Sequence, residues 1–289
     1  MLDSSTGKYK RPDNWQFCDQ REDNMQFALN HMVAPKLGYA EFFDLAKSMG
    51  ISDVEIRNDI ATSRMDIEAA TEIKALAEAR GLNIVSVNAL QRFNQWNAAR
   101  ATEARELAVY AAAAGAKALV LCPVNDRAFT PATQERLGGL REALKGLAPI
   151  LKEHGLKGLV EPLGFVECSL RLKAEAVAAI DDTGTAETFS LVHDTFHHFV
   201  AGATDMFPAR TGLVHISGVT DKAQTAATMR DPHRVLVDRS DLIDNAGQMK
   251  ALSAGGYTGV VSFEPFAAEV HNDPDIKASL AASVRFLSA

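Results

Sequence analysis

Eight short apolar runs recur along the chain from residue 25 onward, and they constrain its fold more than any other feature of the sequence. Each run is rich in Val, Leu, Ile or Phe and is bounded by Gly, Asp or Pro, which is typical of a strand buried on both faces. The runs are MQFALNHMV (25–33), VEIRND (54–59), NIVSVNAL (83–90), KALVLCPV (117–124), KGLVEPLG (157–164), FSLVHDTF (189–196), TGLVHISGV (211–219) and GVVSFEPF (259–266).

Segments with the apolar spacing of helices lie between these runs. Ser169 is a good N-cap for one of them, and Asp273 followed by Pro274 predicts the start of the last. The segments with the clearest helical pattern are 65–81, 101–115, 169–184 and 273–289.

The alternation of strands and helices predicts a closed (β/α)8 TIM barrel. Parallel strands need crossover connections, and barrels of about 250 residues fold as one unit. A doubly wound open sheet usually carries a Gly-rich turn such as GxGxxG after its first strand, and the turn NHMVAPKLG has no such pattern. We therefore predict an α/β fold with one barrel domain over 25–289 and a short N-terminal arm over 1–24.

The charge, the apolar runs and the cysteines of the chain indicate which partners and which cellular location to expect. The chain has 30 Lys+Arg against 37 Asp+Glu, a net charge of −7, whereas nucleic-acid binding normally leaves a basic footprint. No apolar run approaches the roughly 18 residues of a membrane span, and the first 24 residues lack the apolar core of a signal peptide. The three cysteines form no CxxC pair. We expect a cytoplasmic protein with no membrane or nucleic-acid partner and a possible homo-oligomer.

Four consecutive strands end in side chains that can bind a metal. The runs from the fifth to the eighth deliver Glu161, Asp194, His215 and Glu264 at the points where their apolar stretches stop. In a barrel these ends converge on one mouth. Like charges so close together are costly unless a cation compensates them, and no Lys or Arg stands beside the acids at these strand ends. The pattern predicts one divalent metal ion.

The predicted ligand set has three carboxylates and one imidazole. It suits Mn²⁺, Mg²⁺, Co²⁺ or Zn²⁺ and leaves one or two coordination positions for substrate oxygens. Three carboxylates against a charge of +2 leave the site near −1, so we expect one carboxylate to remain basic enough to accept a proton.

Polar residues near the same mouth are candidates for binding substrate. Some follow strand ends, and others lie on the long segment MRDPHR between the last two runs, where barrel loops usually build the site. These candidates are Arg57, Asn88, His197, Asp231, His233 and Arg234.

These motifs, in this order, carry a resemblance to a known family. The chain resembles the xylose-isomerase-like TIM-barrel superfamily of sugar isomerases, epimerases and abasic-site endonucleases (AP endonuclease family 2). Within it, five motifs are most similar to the inosose (2-keto-myo-inositol) isomerases of inositol breakdown. These motifs are VEPLGF, LVHDTFHH, VHISGV, DPHRVLVD and VSFEPFA.

The resemblance implies roles for individual residues. It implies that Glu161, Asp194, His215 and Glu264 hold one divalent metal, that the two glutamates move protons, and that His197 and Arg234 contact substrate oxygens. The nuclease branch needs histidines after strands three and four. This chain has Asn88–Ala89 and Cys122–Pro123 there, so we do not expect nuclease activity.

The expected activity is isomerisation of a neutral polyhydroxy ketone, with a cyclic inosose as the preferred substrate. Glu161 and Glu264 are the expected acid–base pair, acting through a cis-enediolate, and their order stays open. The alternatives are a ketose 3-epimerase or hydroxypyruvate isomerase, an inosose dehydratase, and a non-catalytic sugar-binding barrel.

Overall fold

Eight parallel strands form a closed ring in the computed structural model, which describes residues 26–289. The predicted arm over 1–24 lies outside the described residues. The strands are β1 (Gln26–Asn30), β2 (Asp53–Arg57), β3 (Asn83–Leu90), β4 (Ala118–Leu121), β5 (Lys157–Val160), β6 (Phe189–Asp194), β7 (Thr211–Ile216) and β8 (Val260–Phe263). Each lies within one of the predicted runs or within one residue of it.

The ring closes between the first and the last strand. Ala28 of β1 pairs with Ser262 of β8, and every other strand pairs with its neighbour in sequence order. The prediction of a (β/α)8 TIM barrel is confirmed.

Helices surround the ring on the outside. They are α1 (Tyr39–Ser48), α2 (Ile67–Glu78), α3 (Ala98–Ala113), α4 (Thr133–Glu153), α5 (Lys173–Asp182), α6 (Thr195–Ala201), α7 (Asn245–Ala254), α8 (Ala268–His271) and α9 (Ile276–Leu287). Within the described residues, none of them combines the length and the apolar character that crossing a bilayer requires.

Two predicted helix starts are wrong. Ser169 does not cap α5, which begins at Lys173, because its hydroxyl instead accepts a hydrogen bond from Asn94 Nδ2 at 2.9 Å. Asp273 does not cap α9 either. Its carboxylate accepts from the backbone N–H of Asp275 at 2.8 Å, a turn that places Asp275 at the N-cap position.

The barrel interior is filled by small apolar side chains below a polar mouth. Alternate strand residues face the same side, so an inner apolar residue precedes an inner polar residue by two positions. Such pairs are Leu159 and Glu161, Val192 and Asp194, and Leu213 and His215, all of them buried. This two-residue step places the predicted ligands in one layer at the carboxyl ends of the strands.

Candidate metal centre

The structure brings the four predicted ligands together. One oxygen or nitrogen from each of Glu161, Asp194, His215 and Glu264 lies within 4.8 Å of the others, and all four residues are buried. Glu161 follows β5 directly and Glu264 follows β8, while Asp194 ends β6 and His215 lies within β7. The group is therefore held by four adjacent strands rather than by loops.

His215 lies at the centre of this group. Its Nδ1 is 2.8 Å from Glu161 Oε1 and 3.3 Å from Glu264 Oε2. Burial acts to lower the pKa of His215, but the surrounding carboxylates outweigh it and hold the pKa well above its ordinary value. A ring nitrogen surrounded by carboxylate oxygens is the arrangement expected where a cation binds.

Two cationic side chains from outside these four strand ends contact the acids. Arg57 Nη1 donates to Glu264 Oε1 at 2.7 Å, and Arg234 Nη2 donates to Asp194 Oδ2 at 2.6 Å and to Glu264 Oε2 at 3.0 Å. Arg57 closes β2 on the opposite side of the ring, and Arg234 comes from the long segment after β7. Both arginines were expected near the mouth as substrate-binding residues, whereas the structure pairs them with the acids.

Arg234 is completely enclosed. Its guanidinium lies over two aromatic rings, 5.1 Å from the centroid of Phe196 and 4.5 Å from that of Phe266. Burial acts to raise the pKa of Asp194, but the charges of Arg234, His197 and His215 and the hydrogen bond from the His197 N–H together outweigh it and lower the pKa to about 2. The segment carrying Arg234 is thus fixed to the ligand group itself.

Glu264 accepts the largest set of donors around the mouth. Besides Arg57, Asn88 Nδ2 donates to its Oε1 at 3.1 Å and Asn30 Nδ2 at 3.3 Å. Burial raises the pKa of Glu264 to about 7 despite the nearby cations. Glu161 has a different neighbour, the thiol of Cys122, whose Sγ is 3.5 Å from Glu161 Oε2. The two glutamates therefore have distinct surroundings.

Sequence reasoning missed Glu55 and Asn30. Glu55 lies in the middle of β2 with no exposed surface, and both its carboxylate oxygens are 3.1 Å from His215 Nε2. Burial acts to raise the pKa of Glu55, but the charge and hydrogen bond of His215 outweigh it and lower the pKa to about 2. A signal was present, because Glu55 and Arg57 stand two apart in a buried strand and so share its inner face.

Of the other substrate-binding candidates, His197 is buried, whereas Asp231 and His233 are not. His197 is buried, its backbone N–H donates to Asp194 Oδ1 at 3.0 Å, and its Nδ1 has no partner within the described residues. Asp231 lies 3.4 Å from Arg234 Nη1 and is 44% exposed, so it is at the rim. His233 Nδ1 accepts from the backbone N–H of Arg230 at 3.0 Å, so this nitrogen holds its own loop rather than pointing into the group.

The residues present fit a divalent cation. The donor set is three carboxylates and one imidazole, as hard and borderline metals prefer. The buried side chains at the mouth include four carboxylates and two guanidinium groups. An imidazole that binds a metal is neutral, so these groups carry a net charge of −2, which one divalent ion cancels. These residues are Glu55, Glu161, Asp194, Glu264, Arg57 and Arg234. The expectation from the sequence counted only three carboxylates and the ion, which gave a residual charge of −1, whereas the full set of buried groups with the ion gives zero.

A family model described as "Xylose isomerase-like TIM barrel" matches residues 43–288. The chain belongs to this family. A xylose isomerase domain containing protein from Salmonella typhimurium LT2 is 32% identical, with a TM-score of 0.83 over 93% of this chain and 99% of the other. The sequence has no significant match among curated proteins.

Solved structures at lower sequence identity share the fold. The IolI protein, solved with a bound zinc atom, is 19% identical with a TM-score of 0.82 over 91% of this chain and 98% of the other. The 3-keto-D-glucoside 4-epimerase YcjR from E. coli is 17% identical with a TM-score of 0.70 over 91% of this chain and 99% of the other. At these identities the similarity establishes the architecture alone.

Proposed function

We propose that this chain is a divalent-metal-dependent isomerase of a neutral polyhydroxy ketone, with 2-keto-myo-inositol as the preferred substrate. The observation that carries the proposal is the placement of two buried glutamates, Glu161 and Glu264, beside the same nitrogen of His215. Membership of the xylose isomerase-like family supports the reaction class. The resemblance of five motifs to those of inosose isomerases supports the choice of substrate.

The two glutamates move the proton. One carboxylate removes the proton from the carbon next to the carbonyl, which gives a cis-enediolate, and a proton returned to the neighbouring carbon completes the shift. A divalent ion bound by Glu161, Asp194, His215 and Glu264 supplies Lewis acidity that polarises the substrate carbonyl. Arg57 and Asn88 hold Glu264 in place through Oε1.

The charges at the mouth support a neutral substrate. Arg57 and Arg234 are both paired with buried carboxylates, so neither guanidinium is free to bind a phosphate. The unpartnered Nδ1 of His197 is a buried polar atom of the kind that binds a hydroxyl. A polyol ketone supplies such hydroxyls without adding charge.

Proton exchange with solvent tests the proposal. The enzyme is stripped with chelator, reloaded with Mn²⁺, Co²⁺, Zn²⁺ or Mg²⁺, and incubated with 2-keto-myo-inositol in D2O. We expect metal-dependent deuterium incorporation next to the carbonyl and formation of an isomeric inosose, followed by NMR. Glu264→Gln should lower the exchange rate by about 100-fold or more and still bind some metal, because a general acid–base group contributes roughly that factor.

The matched control is Glu153→Gln, which removes an exposed carboxylate at the end of α4. It should keep the unmodified rate. Inversion of a ketose in a substrate panel would reassign the chain as an epimerase, and loss of water would reassign it as a dehydratase. Near-normal exchange in Glu264→Gln would rule out the mechanism, and the absence of exchange with every ketose would favour a binding protein.

A further inference from the structure

His215 is held between carboxylates on both sides of its ring. Nδ1 faces the ligand group, where Glu161 Oε1 is 2.8 Å away, and Nε2 faces Glu55, whose two oxygens are both at 3.1 Å. Both His215 and Glu55 are fully buried. A neutral imidazole that binds a cation through one nitrogen carries its proton on the other, and the partner of that second nitrogen fixes the ring.

Two further side chains donate hydrogen bonds to the carboxylate of Glu55. Ser86 Oγ donates to its Oε2 at 2.6 Å, and Asn30 Nδ2 donates to its Oε1 at 3.2 Å. These donors come from β3 and β1, the strands on either side of β2. The carboxylate is therefore fixed between three strands with both oxygens directed at His215.

Glu55 does not belong to the ligand group. The group of side chains whose ligand atoms approach within 4.8 Å of one another contains Glu161, Asp194, His215 and Glu264 but not Glu55. Its contact with this group runs through Nε2 of His215, on the side of the ring away from Nδ1. The direct hydrogen-bond contact of Glu55 with the group is therefore the imidazole of His215.

We propose that Glu55 is a positioning residue of the metal centre. It accepts the Nε2–H of His215, which fixes the tautomer with the lone pair on Nδ1 and aims that lone pair at the cation. Its negative charge also belongs to the four carboxylates and two guanidinium groups at the mouth, whose net charge a divalent ion cancels. The inference rests on the metal dependence in the proposed function but not on the identity of the substrate.

The test measures Zn²⁺ binding directly, by calorimetry, in the unmodified chain and in two variants. Glu55→Gln keeps an acceptor oxygen and removes the charge, and Glu55→Met removes both. Loss of such a partner typically lowers metal affinity by about 10- to 100-fold. We expect the decrease in Zn²⁺ affinity of Glu55→Met to lie at the upper end of that range and the decrease in Glu55→Gln to be smaller.

A spectroscopic readout separates positioning from a structural defect. In the Zn²⁺-loaded protein, ¹⁵N–¹H NMR of the His215 ring should show the proton on Nε2, and Glu55→Met should shift or broaden that pattern. Asp53→Asn is the matched control, because Asp53 is a buried carboxylate of the same strand that contacts Asn83 at 3.1 Å instead of His215. It should leave the Zn²⁺ affinity unchanged.

The outcomes separate this inference from the proposed function. Zn²⁺ affinity in Glu55→Met within twofold of the unmodified chain would overturn the role of Glu55, even if isomerase activity is found. Weakened Zn²⁺ binding with the altered ring pattern would support it, even if no ketose is turned over. A chain that binds no Zn²⁺ at all would overturn both.

Discussion

Arg234 is the largest side chain in the set of fully buried residues, and it pairs with two carboxylates at once. Such a pair is costly to break from one side, because the remaining charge is left buried without a partner. The guanidinium therefore holds together the acids of the mouth independently of any bound ion.

Arg234→Met should destabilise the chain strongly when metal is removed by chelator. We expect the free energy of unfolding to fall by about 3–5 kcal/mol in urea denaturation, the usual cost of breaking a buried pair. Added Zn²⁺ should then stabilise this variant more than the unmodified chain, because the ion takes over the neutralisation of Asp194 and Glu264. Arg141→Met, which breaks an exposed pair with Asp182, should cost at most about 1 kcal/mol. Equal stabilisation of both chains by Zn²⁺ would contradict the prediction.

Residues of the site differ in how readily the sequence predicts them. Glu161, Asp194, His215 and Glu264 were predictable because each stands where an apolar run stops, and parallel strands bring such positions together. Glu55 lies inside a run and has no such signal except its two-residue spacing from Arg57. Its role depends on His215, which is 160 residues away, and no local pattern encodes that distance.

At the scale of elements, the loop after β5 packs directly against α6. A side chain at Gly164 would begin 2.2 Å from the backbone oxygen of His197 and 2.8 Å from the backbone nitrogen of Ala201. The N-cap of α6 is Asp194, whose carboxylate accepts from the His197 N–H. The position of this candidate metal ligand therefore depends on close packing of two backbones.

Gly164→Ala should push α6 away from the loop and disturb Asp194. We expect a loss of about 1–3 kcal/mol in the free energy of unfolding, as for other overpacked sites, with a weaker affinity for Zn²⁺. Gly138→Ala is the matched control, since it lies inside α4 with nothing within 4 Å of the added carbon. It should stabilise the chain by about 0.5–1 kcal/mol because alanine favours helix. Unchanged Zn²⁺ affinity in Gly164→Ala would contradict the coupling.

Element order was predictable from the sequence, and two helix starts were not. The eight runs predict the strands because Val-, Leu- and Ile-rich segments that alternate with amphipathic ones fit a parallel barrel. Ser169 and Asp273 are good capping residues by type. Ser169 instead bonds to Asn94, which is 75 residues away, and Asp273 bonds to the backbone of Asp275. A residue's type does not choose between such competing partners.

At the scale of the whole molecule, acid stability depends on histidines held neutral by burial. His31 follows β1, its ring stacks on that of Phe42 with centroids 4.2 Å apart, and its Nε2 is 2.9 Å from the backbone oxygen of Leu37. Burial lowers the pKa of His31 from 6.5 to about 4. Burial also lowers the pKa of His198 to about 4.

The free energy of unfolding should therefore decrease as the pH falls from about 6.5 to about 4. In that window the unfolded chain binds a proton at His31 and the folded chain does not, so protonation favours unfolding. The contribution of His31 is at most about 3.5 kcal/mol, because its pKa falls from 6.5 to about 4 and each pKa unit corresponds to about 1.4 kcal/mol. Urea denaturation at several pH values measures the slope, and His31→Gln should reduce it. An identical slope in the variant would exclude this contribution.

The donors to Glu264 connect the first strands of the barrel to the end of the last one. Asn30, at the end of the first strand, reaches a carboxylate 234 residues further along, and Arg57 and Asn88 reach the same oxygen from β2 and β3. A chain that has formed its first seven strands still lacks both this carboxylate and the strand that closes the ring. The four candidate ligands therefore form one group only when β8 pairs with β1 and β7 and the ring is closed.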